Sequence, residues 1–325
     1  MGYWHGRAAS CLGSQVVGVV DPDAKRAWAL ARECRAAAAA IDASELLQGS
    51  DLDAVHICSP ASTHAALAAQ ALEAGIHALV EKPLAESADD TRRLFGIAQR
   101  QSVILCPVHQ VAFQRGVDEA ATLAGLDDPC AIDFRICSAG RIGRDESGLD
   151  EIVGEILPHP FSVLRRLWPQ APWEPHRWFV SRPRSGELLV GGEYAGALLS
   201  LLVSMHARPT CFEMTVYGRH GSIALDFFHG FAIRHDGKVS RLRKILRPFA
   251  TSLKLFGAAS INLIARGTRA EAAYPGLRAL TQAFYTAVRG AGPCPISAED
   301  AVAVAVARDA ILACSNRLVR EAFVA

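Results

Sequence analysis

The sequence predicts an α/β protein: a doubly wound parallel sheet, followed by an α+β region whose open sheet is mostly antiparallel. Three observations carry that expectation. From residue 16 to about 108, short apolar runs alternate with Ala-rich helical stretches, the texture of β-α-β crossovers. After residue 130 the chain turns β-rich, in AIDFRICSA, GALLSLLVSM, CFEMTVYG and SIALDFF. With 325 residues, half of them apolar, the chain is long enough for two domains and a sizeable core.

Taken in order, VVGVV (16–20) is a β-branched run of buried-strand type that ends on Asp21. Strands are expected at 16–20, about 39–41, 53–59, 77–80 and 103–108, with helices near 22–36, 43–49, 62–75 and 88–100. The Ala run at 36–40 reads as the end of a helix running into a short strand. In the second part, GFAIRHDGKV carries an Asp-Gly pair of hairpin type, and the glycines of YGRHGSIALD (217–226) read as turn geometry. A helix is expected at 276–288 and another from Ser297 to 316, where Ser297 and Asp300 make a capping-box start. Ahead of them, 238–271 is a basic amphipathic stretch read first as one or two surface helices, with a cover over the substrate cleft or a contact for a partner or membrane surface as the alternatives. The expected division is 1–108 and 109–325, with the helix at 297–316 packing back on the first domain.

Composition narrows the function. A formal net charge of +1 suggests neither disorder nor a nucleic-acid partner. Nine scattered cysteines without a CxxC pair argue against a disulfide framework and against a zinc site, and they suit a reducing cytoplasm. The longest apolar stretch (188–205) is interrupted by Glu193 and three glycines, so it reads as strands rather than a transmembrane segment. The Arg-rich piece HRWFVSRPRS (176–185) is either a solvated loop, the preferred reading, or a contact for an anionic substrate.

The most informative segment is LDAVHICSPASTHAALAAQALEAGIHALVEKPLA (52–85). A buried strand ends at Cys58, a Ser59-Pro60 turn follows, and Thr63 and His64 open a helix. Ligands of open sheets bind at that carboxyl edge. The next strand delivers Glu81, Lys82 and Pro83 to the same edge. His56, inside its strand, reads as a core histidine. This text resembles the Gfo/Idh/MocA oxidoreductases. The resemblance covers residue 2 to about 227 and about 274 to 316, and leaves 238–271 unmatched.

The resemblance implies NAD as cofactor, with NADP as the alternative, and a sugar, cyclitol or sugar derivative as substrate. It implies that Lys82 binds the substrate hydroxyl beside the nicotinamide, and that the Lys82–Pro83 bond is cis. A second motif, a carboxylate four residues before a histidine at a helix start, falls on GLDEIVGEILPHPFSVLRRLW (148–168). There Glu155 stands where the family has Asp, and His159 takes the histidine position. A carboxylate at that spacing orients an imidazole and stabilises its protonated form. In LCPVHQVAFQRG (105–116), His109, Gln110 and Phe113 match the family. His109 and Gln110 then serve either near the nicotinamide and substrate or as a hinge. Ser59, Pro60, Thr63, His64, Glu81 and Lys82 are implied to contact cofactor, with helix capping the competing role for Thr63 and His64. Asp21 is the expected ribose-binding carboxylate.

Aligning Gly2, Tyr3 and Trp4 on the family's G-x-G-x-x-G loop puts Gly2 at the second glycine and His5 at the last. It leaves the first, central strand ahead of Met1, so the expectation is a start inside the motif. Three functional expectations follow: an NAD-dependent dehydrogenase, a catalytically silent nucleotide- or sugar-binding relative, or a hydrolase or epimerase that reuses its NAD. A homo-oligomer formed through the second-domain sheet is also expected.

Overall fold

In the computed structural model, which describes residues 1–49, 51–122, 128–139, 146–238, 240–269 and 271–322, the chain divides into two units. The first takes Met1–Gln110 with Leu277–Ala305, and the second Val111–Gly276 with Val306–Ala325.

The first unit runs α1 (Gly2–Cys11), β1 (Gly18–Val20), α2 (Ala24–Cys34), β2 (Ala38–Ala40), α3 (Ala43–Gly49), β3 (Ala54–Ile57), α4 (Ala61–Glu73), β4 (His77–Val80), α5 (Ala88–Arg100) and β5 (Leu105–Pro107). The β-α alternation is as the apolar periodicity predicts. The strands are shorter than expected because each pairs only over the length its neighbour offers: Leu105–Pro107 meet Ala78–Val80, and no further pair is registered. Caps explain the helix starts. Asp23 accepts the amide of Lys25 at 2.9 Å. Ser87 accepts the amide of Asp90 at 3.0 Å, and its hydroxyl donates back to the Asp90 carboxylate at 2.8 Å. Ile57, Leu72, Val80, Leu94, Ile97 and Leu105 form the core between α4, α5 and β3–β5.

The parallel strands form two separate sheets, β1 with β2 and β3-β4-β5 in that order. Among the described residues no strand pairing joins β1 to β3. Their facing edges, Gly18–Val20 and Ala54–Ile57, line a cleft of about 2610 Å³. In a doubly wound sheet of order 3-2-1-4-5-6, this gap is the place of strand 1. Gly2, Tyr3 and Trp4 form the first turn of α1, a helix that was not among the expected elements. The helix packs closely on α2: a Cβ at Gly6 would overlap Cys34 Sγ.

The second unit contains α6 (Arg115–Ala121), β6 (Pro129–Cys137), α7 (Glu146–Ile156), α8 (Pro158–Leu167), β7 (Phe179–Ser181), β8 (Glu187–Tyr194), β9 (Ala197–Ser204), β10 (Cys211–Gly218), β11 (Gly221–Asp226), β12 (Phe231–Asp236) and α9 (Arg241–Thr268). Among the described residues its seven strands are ordered β12-β11-β10-β6-β9-β8-β7. Only β6 and β9 run parallel; the other pairs are antiparallel. The apolar stretch at 188–205 is the β8–β9 hairpin, which turns at Ala195 and Gly196, both at positive φ. Arg182, in the Arg-rich piece, is tied to Asp150 of α7 by its Nε at 3.2 Å and by an Nη2 contact. The Asp236-Gly237 pair does not make the expected hairpin. β12 lies at the sheet edge, Gly237 donates to the His220 carbonyl at 2.8 Å, and the chain leaves into α9. The chain closes with α10 (Leu277–Val288) in the first unit and α11 (Ala298–Ala322), whose first turn carries the expected capping box, the Asp300 amide lying 3.0 Å from Ser297 Oγ.

Candidate active site

In the first unit, the carboxyl ends of β3 and β4 bring the Ser59-Pro60 turn and the Glu81-Lys82-Pro83 run to one edge of the sheet. The Lys82–Pro83 peptide is cis. His64, buried in the first turn of α4, locks the two runs together. Its Nδ1 lies 2.7 Å from the Pro83 carbonyl oxygen and its Nε2 2.8 Å from that of Ser59. Both ring nitrogens are thus taken up by backbone, which makes His64 a brace of the turn. Thr63 Oγ1 lies 2.6 Å from Ser59 Oγ and 2.8 Å from the Pro60 carbonyl oxygen.

Glu81 is buried, and one of its carboxylate oxygens accepts the Lys82 amide at 3.1 Å. The other lies 3.1 Å from Nε2 of His5. From there a polar chain continues inward: His5 Nδ1 to His56 Nδ1 at 3.0 Å, then His56 Nε2 to the Tyr285 hydroxyl at 3.0 Å. Burial alone would push the Glu81 carboxyl up, but the hydrogen bond and charge of His5, with the Lys82 charge, outweigh it and hold the group below its ordinary value. Burial, reinforced by His5, pushes His56 down to about 3, so its imidazole is neutral at neutral pH. A neutral His56 can accept from His5 on one nitrogen and donate to Tyr285 from the other. The Tyr285 phenol is pushed up to about 12, mainly by burial, and stays protonated.

His109 and Gln110 follow β5 in the same unit and are both buried. Burial pushes His109 down to about 4, against the pull of Glu81 and Asp300. Gln110 Oε1 is buried without a hydrogen-bond partner among the described residues. Asp21 follows β1 and lines the cleft together with Met1, Gly2, Ser59, Pro60 and Thr63. Its carboxylate accepts the Asp23 amide at 2.9 Å, which fixes the side chain at the strand end.

In the second unit, Glu155 is exposed on the last turn of α7, and His159 is the second residue of α8. Pro158 occupies the first helical position, where its missing N–H costs nothing. The His159 carbonyl accepts the Ser162 hydroxyl at 2.8 Å, and its ring is 6.0 Å from that of Phe212. The sequence reading missed His5 as a partner of Glu81 and missed Tyr285 altogether. His5 had been placed on a glycine position, and Tyr285 carries no motif.

Residues 1–109 match the family described as an oxidoreductase family with an NAD-binding Rossmann fold. A UDP-N-acetylglucosamine 3-dehydrogenase of Acidithiobacillus ferrooxidans is 38% identical over 110 residues, 34% of each chain. A 1,5-anhydro-D-fructose reductase of Ensifer adhaerens is 30% identical over 174 residues, 50% of this chain and 51% of that one. The matches thus span from a third to a half of these relatives' length. The solved structure of the Acidithiobacillus enzyme superposes with a TM-score of 0.71 at 20% identity, over 96% of this chain and 93% of that chain.

Proposed function

The chain belongs to the Gfo/Idh/MocA oxidoreductase family, and from that premise we propose that it transfers a hydride between NAD and a hydroxyl carbon of a sugar, cyclitol or sugar derivative. The observation that carries the reading is the Glu81-Lys82-Pro83 run at the end of β4, with a buried Glu81 held by His5 and the turn braced by His64.

The donor set fits a dinucleotide. The cleft combines the Asp21 carboxylate, which suits ribose hydroxyls, with the amino end of α1, whose dipole suits a diphosphate. NAD, when bound, supplies the acceptor or donor of the hydride. The side chains supply the rest. Lys82 donates a hydrogen bond to the reacting hydroxyl oxygen, His159 exchanges its proton, and Glu155 favours the protonated imidazole. Gln110 offers a buried acceptor for the nicotinamide amide or a substrate hydroxyl. A sugar nucleotide leads the substrate classes, because the Acidithiobacillus relative is named for one.

The test is NADH formation from NAD with a panel of nucleotide sugars, inositols and anhydro sugars. Turnover is expected with at least one of them. Lys82→Ala and His159→Ala should each lose roughly 10²- to 10⁴-fold in turnover, with NAD affinity retained. Full turnover in both variants would remove the assigned residues, and tight NAD binding with no turnover on any panel member would favour a silent relative.

A further inference from the structure

The helix α9 is built the wrong way round for a helix that belongs only to its own domain. It has 28 residues, about 42 Å at 1.5 Å per residue. Leu242, Ile245, Phe249, Leu253, Phe256 and Leu263 follow i, i+3, i+4 and i+7 spacing, and at 100° per residue they fall within an arc of about 80°. All six are exposed: Phe249 by 68%, Leu253 by 72% and Phe256 by 73%. The polar side faces the body of the unit instead. Lys254 Nζ donates to the Arg234 carbonyl of β12 at 3.0 Å. Asn262 and Arg266 donate to the His229 carbonyl at 2.8 and 3.3 Å.

The charge is equally one-sided. The segment contains Arg241, Arg243, Lys244, Arg247, Lys254 and Arg266 and no Asp or Glu, within a chain whose net charge is only +1. Three of these cations, at 241, 244 and 247, are exposed in the first two turns; at about 100° per residue Arg241 borders the apolar stripe, and Lys244 and Arg247 lie on the face across from it. The described chain has no helix long and apolar enough to cross a membrane. An exposed apolar stripe on a helix whose polar side carries cations and no acid is the pattern of a helix lying in the plane of a lipid interface.

We propose that α9 docks this protein on an anionic lipid surface, with the Leu242–Leu263 stripe set among the acyl chains and Arg241, Lys244 and Arg247 against the headgroups. A second copy of the chain is the weaker occupant. Two such helices laid stripe to stripe offer no carboxylate of their own to pair with their cations. Anionic headgroups meet that charge directly.

The full chain is mixed with phosphatidylcholine vesicles, with and without phosphatidylglycerol, and separated by flotation. It should float with the anionic vesicles only, and added salt should release it. The Phe249→Ser, Leu253→Ser, Phe256→Ser variant should lose binding at least about tenfold. Charge reversal of Arg241, Lys244 and Arg247 to Glu should cost on the order of 100-fold, about fivefold for each basic side chain removed. Because those three are exposed, their reversal tests the proposal even if the serine variant fails to fold. Equal flotation with neutral vesicles, or none with either, overturns it. So does a sedimenting dimer that the serine variant converts to monomer without any vesicle binding.

Discussion

Substituting His109 by Gln should make the chain less sensitive to acid. His109 is 5% exposed, and burial holds its imidazole at about 4 against an ordinary 6.5. A histidine whose value falls on folding stays neutral in the native state while the unfolded chain takes up a proton. Its contribution is therefore intact above pH 6.5 and is lost as the pH falls towards 4. Each pH unit in that window costs about 1.4 kcal/mol, so the loss is about 2 kcal/mol at about pH 5 and about 3 kcal/mol in full. Glu81 and Asp300 pull the value up and Lys82 pushes it down, so the balance rests on burial. Urea unfolding of parent and His109→Gln protein at about pH 7 and about pH 5 isolates the effect. The parent should lose about 2 kcal/mol more than the variant between the two conditions. Equal losses in both would show that His109 is not held neutral by its surroundings.

Three further outcomes follow from the first unit. Asp21→Ser should weaken NAD and shift preference towards NADP, because Asp21 accepts ribose hydroxyls and repels a 2′-phosphate; calorimetry with both cofactors checks it, and unchanged NAD affinity refutes the role. Gly6→Ala should destabilise the protein by about 1–3 kcal/mol through overlap with Cys34 Sγ, and Cys34→Ala in the same chain should restore most of the loss. Joining an apolar segment of about ten residues ending in Gly ahead of Met1 should fill the cleft between β1 and β3, raising both Tm and NAD affinity. Unchanged values would show that the cleft does not take a strand.

Much of the architecture was legible because it is local. The β-branched run Val16–Val20, the strand delivering Glu81 and the Ser297 capping box all announce themselves within a few residues, by period or by side-chain chemistry. One expectation of the fold failed. Asp236-Gly237 has the residues of a hairpin turn, but a turn makes a hairpin only if the next segment is a strand, and here the next element is the helix α9.

The site divides along the same line. Lys82, Asp21 and His159 could be singled out as candidates because each sits in a short motif near the end of an element. The polar chain that holds Glu81 could not, because its hydrogen bonds span 76, 51 and 229 residues from His5 to Glu81, His5 to His56 and His56 to Tyr285. No periodicity reaches so far. A histidine inside an apolar strand reads as core, and His56 is satisfied, by His5 and Tyr285 rather than by the sheet. The physical reason is that a buried carboxylate must be hydrogen-bonded, and a single partner leaves it incompletely satisfied. His5 therefore completes what the Lys82 amide begins, and His56, neutral and hydrogen-bonded to Tyr285, lies against the other ring nitrogen of His5 without adding a buried charge.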